Sequence, residues 1–407
     1  MNRIHDELKK LATYSSTKVP AITRVLYTDK DLEARDYFIA LCEEINLKVT
    51  IDAIGNIFSR WEGSDSTLPA VATGSHIDAI PLSGMYDGTV GVFGGLAAIR
   101  TLKNEGYKPT RSIELILFTS EEPTRFKIGC LGSRMLGGQL KVADVLKLTD
   151  DAGESFDEVR KKAGYTSNLS EVLLSKNHYK AFVELHIEQG PILENEDLDI
   201  GIVTKIAAPS SLKITLTGEG GHAGAVLMEN RKDAGVAGAE VMIAVEKVAK
   251  ESESKDTVAT VGIFDIKPRA VNSIPKEVYM EVDLRGTNVT ARDFALNKLK
   301  EDVKTICEKR HILYDIKMVN CDSPAICDSD LVNVVESVTK NLGYKSKRMV
   351  SRAYHDTLFM ALIAPTTMIF IPCRGGVSHR PDEYSSPAQI EKGVETLKNT
   401  LKILTES

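Results

Sequence analysis

Residues 112–122 read SIELILFTSEE, an almost unbroken apolar run closed by a Thr-Ser pair and two adjacent carboxylates. A run this short and this apolar predicts a strand covered on both faces, the kind found inside a parallel sheet. The pattern repeats outward from it. Upstream, 88–106 (GTVGVFGGLAAIRTLKNEG) reads as a helix and 69–78 (PAVATGSHID) as a short strand ending at His76. Before those, 47–61 (LKVTIDAIGNIFSRW) reads as two short strands about the turn dipeptide Gly55-Asn56, and 30–46 has helical spacing. Downstream, 181–190 (AFVELHIEQG) and 366–372 (TTMIFIP) are further strands, with a helix from about 329. Strands alternating with helices in this way predict an α/β fold with a mixed, mostly parallel sheet.

The character of the chain changes near Pro209. LKITLTGEGG, a long Ala-rich helix (231–254), TVATVGIFDI, EVYMEVDLRG, a second helix (290–310) and LYDIKMVN follow in the order β-α-β-β-α-β, that of a ferredoxin-like α+β domain. The expected plan is one discontinuous catalytic domain, residues 1–209 and 326–407, with an inserted lid at 210–325.

Composition narrows the function classes. The 407 residues carry a formal net charge of −6 and are 43% hydrophobic, so the chain can bury a sizeable core and shows no basic footprint for nucleic acid. No stretch approaches the roughly 18 apolar residues of a membrane span. The N-terminus, MNRIHDELKKLATYSS, lacks the apolar segment of a secretory signal, and the expected location is the cytoplasm. The six scattered cysteines form no C-x-x-C pair and read as reduced thiols.

In open α/β sheets, ligands collect beyond the carboxyl ends of strands, and four polar clusters fall there. The first is Gly74-Ser75-His76-Ile77-Asp78, followed by Tyr86-Asp87-Gly88. His76 has the chemistry of a metal ligand, and Asp78 is placed to hold its other ring nitrogen from outside the coordination sphere. Asp87 reads either as a ligand or as the N-cap of the helix that follows. The second is Glu121-Glu122. Adjacent carboxylates at the end of an apolar strand are costly unless a cation, or Arg125 nearby, neutralises them. Side chains of neighbours on extended backbone diverge, so one can bind metal while the other faces substrate. The third is 184–191, ELHIEQGP, where alternation puts Glu184, His186 and Glu188 on one face. The fourth is the Gly-rich loop Cys373-Arg374-Gly375-Gly376-Val377-Ser378-His379. Donors that are nitrogen and oxygen, with no thiolate, suit zinc or manganese in a two-metal site with a bridging carboxylate.

GSHIDAIPLSGMYDG (74–88), EE-x-x-RF (121–126), ELHIEQGP, GHAG (221–224) and G-x-SH (376–379) resemble the di-metal aminoacylase and carboxypeptidase superfamily, within its hydantoinase/carbamoylase branch, over essentially the whole chain. Finer features (FTSEEPTRF, CLGSR, IAAPSSLK, GGHAGAVLM, SRAYHD, IFIPC) are similar to the plant-type members of that branch that hydrolyse ureidoglycolate. Other carbamoylases and allantoate amidohydrolases usually show Gly-Ala-Gly-His-Asp where this chain has Arg352-Ala353-Tyr354-His355-Asp356, a departure that favours ureidoglycolate.

The resemblance implies two divalent ions per subunit, manganese first and zinc second, held by His76, Asp87, Glu122, His186 and His379 with Asp87 bridging. It implies that Glu121 is the general base and that Gln189, Tyr354 and His355 contact substrate. Asn272 and Arg285 are implied to bind the substrate carboxylate. His222, in the lid, is implied to reach the partner subunit's site and steady the oxyanion, which makes the protein a homodimer through the lid. The implied reaction takes a small ureido acid, ureidoglycolate, to glyoxylate, ammonia and carbon dioxide. Allantoate, N-carbamoyl amino acids and dipeptides are the rival substrates. A non-catalytic binding protein on the same fold is disfavoured because no ligand and no base is missing.

Overall fold

The computed structural model describes residues 2–406 and divides into two compact units. Of the described residues, one unit comprises 2–204, 326–351 and 355–406; the other comprises 205–325 and 352–354.

The first unit is built on a nine-stranded sheet. Four strands at its centre run parallel, in the order Thr366–Ile371, Ala181–Ile187, Val71–His76, Ile113–Phe118. All four are buried at every position, which is why their sequences carry no polar alternation. Antiparallel strands flank them. Ile57–Trp61 pairs with Ile113–Phe118, and Lys48–Ile51 pairs with Ile57–Trp61 across the turn holding Gly55-Asn56. On the other side Ile200–Ile206 runs antiparallel to Thr366–Ile371. The sheet expected from the strand–helix rhythm is present and mixed, with parallel pairing among the four central strands. Helix Thr89–Asn104 packs on its central strands and against the last helix, Pro387–Glu406.

One apolar core lies around Phe118, Phe126, Leu131, Phe156, Tyr179 and Phe182. A buried ion pair, Arg35 Nε to Asp31 at 3.0 Å, adjoins it, and Arg35 also donates to the Gly55 carbonyl at 2.6 Å. That bond ties helix Asp29–Glu44 to the hairpin turn. All six cysteines are free. Among the described residues, no helix is long and apolar enough to cross a membrane.

The second unit has a four-stranded antiparallel sheet in the order Val258–Lys267, Glu277–Gly286, Ala208–Thr217, Leu313–Cys321. Helices Ala234–Lys250 and Val289–Arg310 pack on it, so the chain order is β-α-β-β-α-β with the ferredoxin-like strand arrangement. Glu277–Gly286 alternates strictly between half-buried and buried positions, as a strand with one covered face must. Asp233 and Asn288 cap the two helices through side-chain bonds to backbone N–H groups.

Candidate active site

The parallel register brings the polar strand ends together. His76 is the last residue of its strand and lies opposite Phe118, while His186 lies opposite Phe370. Glu121 and Glu122 follow Phe118 after Thr119 and Ser120, the latter in left-handed backbone (φ 55°) that turns the chain sharply. Asp87 precedes helix Thr89–Asn104 but does not cap it. The cap position is Gly88, at φ 64°, which has no side chain to cap the helix and whose N–H donates to His186 Nε2 at 3.1 Å. With its backbone one residue too early to cap, Asp87 aims its carboxylate at the histidines.

The carboxylate of Asp87 stands between two sets of donors. Its Oδ1 is 3.2 Å from His186 Nε2 and 3.9 Å from His76 Nε2. Its Oδ2 is 3.0 Å from His379 Nε2, which is itself 3.2 Å from Glu122 Oε1. Two groups compatible with a metal ion therefore share Asp87: His76–Asp87–His186 and Asp87–Glu122–His379. Glu121 belongs to neither. Its Oε2 is 3.7 Å from His76 Nε2, and its Oε1 accepts from the Cys130 thiol at 3.4 Å.

The rings are oriented as ligands require. Nδ1 of His76 lies 3.0 Å from the Asp78 carbonyl and Nδ1 of His186 lies 2.9 Å from the Ile187 carbonyl, so each Nδ1 donates outward and each Nε2 is turned toward Asp87. Asp78 acts through its backbone here. Its carboxylate is 3.6 Å from the ring and instead accepts the N–H groups of Glu121 (3.2 Å) and Glu122 (3.0 Å), tying the first cluster to the second.

Electrostatics single out the same place. Burial pushes the Glu121 carboxyl well above the usual carboxylate range, with Glu122, Asp356 and Asp87 adding to it against His76. Burial likewise raises Glu122, with Asp87 adding to it against His379. Asp87 goes the other way: burial pushes it up, but the imidazoles of His186 and His379 hold it well below. His379 is pushed up to about 11 by Asp87 and Glu122. The cluster is thus an excess of buried carboxylate held together by positive charge. Three imidazoles and the Glu122 carboxylate converging on Asp87, with mixed nitrogen and oxygen donors and no thiolate, fit a pair of divalent cations.

The remaining candidates divide between the units. Gln189 Nε2 donates to Asp87 Oδ1 at 2.9 Å. His355 is buried, its ring packs 4.4 Å (centroid to centroid) from that of His186 at a tilt of 59°, and its Nε2 lies 3.1 Å from Ser351 Oγ. In the second unit, His222 is exposed on a two-residue strand paired with Ser273–Ile274, and the Asn272 carbonyl accepts the Ala223 N–H next to it. Arg285 bonds Asp283 at 2.7 Å and lies over the Tyr354 ring, 5.5 Å to the centroid.

Two of the sequence-based pairings are corrected. Arg125 does not neutralise Glu121 or Glu122; it bonds Asp150 at 2.9 Å. Glu188 does not join Glu184 and His186; its carboxylate accepts the N–H groups of Ile192 and Leu193, at the start of the short helix Ile192–Asn195. Glu184, singled out in the sequence beside His186, is fully buried and accepts from the Ser75 and Thr357 hydroxyls. Two groups escaped notice. Cys130 bonds Glu121. Glu383 accepts the Tyr86 and Asp87 N–H groups and the Ser378 hydroxyl. Both are single residues in loops and send no periodic signal.

Residues 72–403 match the family model described as peptidase family M20/M25/M40. Over 99% of its length the chain is 52% identical to a ureidoglycolate hydrolase of Arabidopsis thaliana, of which the match covers 86%. It is 51% identical over 96% of its length to a ureidoglycolate hydrolase of Oryza sativa subsp. japonica, of which 82% is covered. Among solved structures, AtUAH in complex with glyoxylate superposes with a TM-score of 0.92 at 51% identity, covering 100% of this chain and 98% of that one. The complex of the same protein with (S)-hydroxyglycine gives the same values.

Proposed function

The chain belongs to peptidase family M20/M25/M40, and from that premise and the geometry of the site we propose that it is a two-metal amidohydrolase that cleaves the ureido C–N bond of ureidoglycolate. The observation that carries the reading is the carboxylate of Asp87 shared by two donor groups, with Glu121 left outside both. The relatives named as ureidoglycolate hydrolases, and a structural neighbour that holds glyoxylate, support the substrate.

His76, Asp87 and His186 would hold one ion, and Asp87, Glu122 and His379 the other, with manganese favoured and zinc the second choice. When bound, the ions polarise the scissile carbonyl and lower the pKa of the attacking water. Glu121 takes the proton of that water and delivers it to the leaving nitrogen, a task suited to a carboxylate whose pKa is raised by burial. The Cys130 thiol, itself kept protonated by burial, steadies the Glu121 oxygen that faces away from His76. Gln189 and His355 line the substrate position. Asn272 and Arg285 take the substrate carboxylate, for which the flat guanidinium is well shaped, and Tyr354 backs Arg285. His222, from a partner subunit's second unit, steadies the oxyanion, so the working form is a homodimer.

Addition of water and loss of the C–N bond give carbamate and 2-hydroxyglycine. Carbamate falls to ammonia and carbon dioxide, and hydroxyglycine loses ammonia to give glyoxylate. AtUAH has been solved with (S)-hydroxyglycine as well as with glyoxylate, the species this sequence produces.

The test is release of ammonia and glyoxylate after loading with manganese or zinc. Ureidoglycolate should exceed allantoate, N-carbamoyl amino acids and dipeptides in kcat/KM by at least about 100-fold, the margin expected where a site pairs with the polar groups of its own substrate. Preference for any of the other three would end the assignment.

A further inference from the structure

Glu383 contributes no atom to either donor group, yet its buried carboxylate joins the two segments that carry Asp87 and His379. Oε1 accepts the backbone N–H of Tyr86 at 2.8 Å and of Asp87 at 3.0 Å, and Oε2 accepts the Ser378 hydroxyl at 2.9 Å. Gln189 closes the ring, with Nε2 2.9 Å from Asp87 Oδ1 and 3.1 Å from Ser378 Oγ. The segments meet as closely as backbone permits: a Cβ placed on Gly84 would fall 2.4 Å from Glu383 Cβ.

His379 needs such a hold more than the other histidines do. His76 and His186 sit in buried strands, and each pins its ring through Nδ1 to a backbone carbonyl. His379 stands on a loop with 46% of its side chain exposed and its backbone left-handed at φ 57°. The groups facing its Nε2 are Asp87 and Glu122, members of the same donor group. Its position must therefore come from the loop, and the loop is fastened by Glu383.

Three donors converge on Glu383: two N–H groups and one O–H. A carboxylate accepts all three through its two oxygens. We infer that Glu383 is a positioning residue for the second cation: it locks the backbone of Asp87 to the His379 loop and so fixes the span across the Asp87–Glu122–His379 group. The inference rests on the two-metal reading above.

The test is titration of the metal-free dimer with Mn2+, with free ion followed by electron paramagnetic resonance and bound ion counted per subunit. The parent should bind two. Glu383→Ala should keep the first ion near parent affinity and hold the second about 10–100-fold more weakly, the usual effect of losing an outer-shell partner. Excess Mn2+ should restore its kcat while KM stays near the parent value, a pattern that general loosening of the fold would not give. Ser378→Ala, which cuts the Oε2 arm and the Gln189 contact but leaves both backbone bonds to Oε1, and Glu383→Gln, which keeps the volume, should weaken the second ion by several-fold, less than Glu383→Ala. Parent affinity for both ions in Glu383→Ala overturns the inference. If that variant does not fold, parent affinity in both milder variants overturns it instead. A parent that binds fewer than two ions defeats the two-metal reading itself, a result separable from the other two.

Discussion

At the scale of single residues, the division between holding ions and moving protons is the sharpest commitment. Glu121 and Glu122 are neighbours in sequence, but Glu122 lies 3.2 Å from His379 whereas Glu121 meets Cys130 and, more distantly, His76. Glu121→Gln removes the base and no ligand, so kcat should fall by about 10²–10⁴-fold while metal content stays at the parent level. His379→Ala should do the reverse in order: metal occupancy falls first, and activity falls with it. Elemental analysis beside turnover separates the two, and a Glu121→Gln protein with near-parent kcat would refute the proton route. Glu121 and Glu122 were legible in the sequence because they end an apolar run, where a bare charge is too costly to leave without purpose, and His379 because it closes a Gly-rich loop after such a run. Glu383 was not legible, since HRPDEYSS reads as an ordinary solvated loop and only the fold shows that its glutamate points inward.

At the scale of elements, the buried strands and the β-α-β-β-α-β order were readable because burial on two faces and burial on one face leave different periodicities. What periodicity does not carry is where a loop points. Asp87 one residue before the helix looks like a cap, and Arg125 beside two glutamates looks like their partner; backbone turns at Gly88 and beyond Glu122 send both elsewhere. The start of helix Thr89–Asn104 makes this testable. Gly88 is at φ 64°, and a Cβ there would lie 2.4 Å from His76 Nε2. Gly106, just beyond the other end of the same helix, is at φ 74° with nothing within 4 Å of such a Cβ. Both Gly→Ala changes pay left-handed strain of about 1–2 kcal/mol. Only Gly88→Ala should also displace the His76 Nε2 and weaken metal binding. Denaturant midpoints should therefore fall in both variants and ion affinity in one; equal affinities would show that the ring does not depend on this approach.

At the scale of the whole molecule, the donors lie in one compact unit, while the groups assigned to the substrate carboxylate and oxyanion lie in the other. If ions bind the folded state alone, removing them should cost stability as well as turnover: an ion present at 100 times its Kd contributes about 2.7 kcal/mol, read as a lower denaturant midpoint after chelation and its recovery with Mn2+. The oxyanion assignment makes a stronger demand. If His222 serves the partner's site, a dimer of one Glu121→Gln subunit and one His222→Ala subunit contains one site with both defects and one with neither. Random exchange of equal amounts of the two inactive homodimers makes about half the dimers mixed, so about one quarter of the parent activity should appear on mixing. If His222 serves its own chain, every site in the mixed dimer lacks one group and no activity returns. Recovery on mixing thus reads out whether the site is completed across subunits, whatever each single substitution does alone.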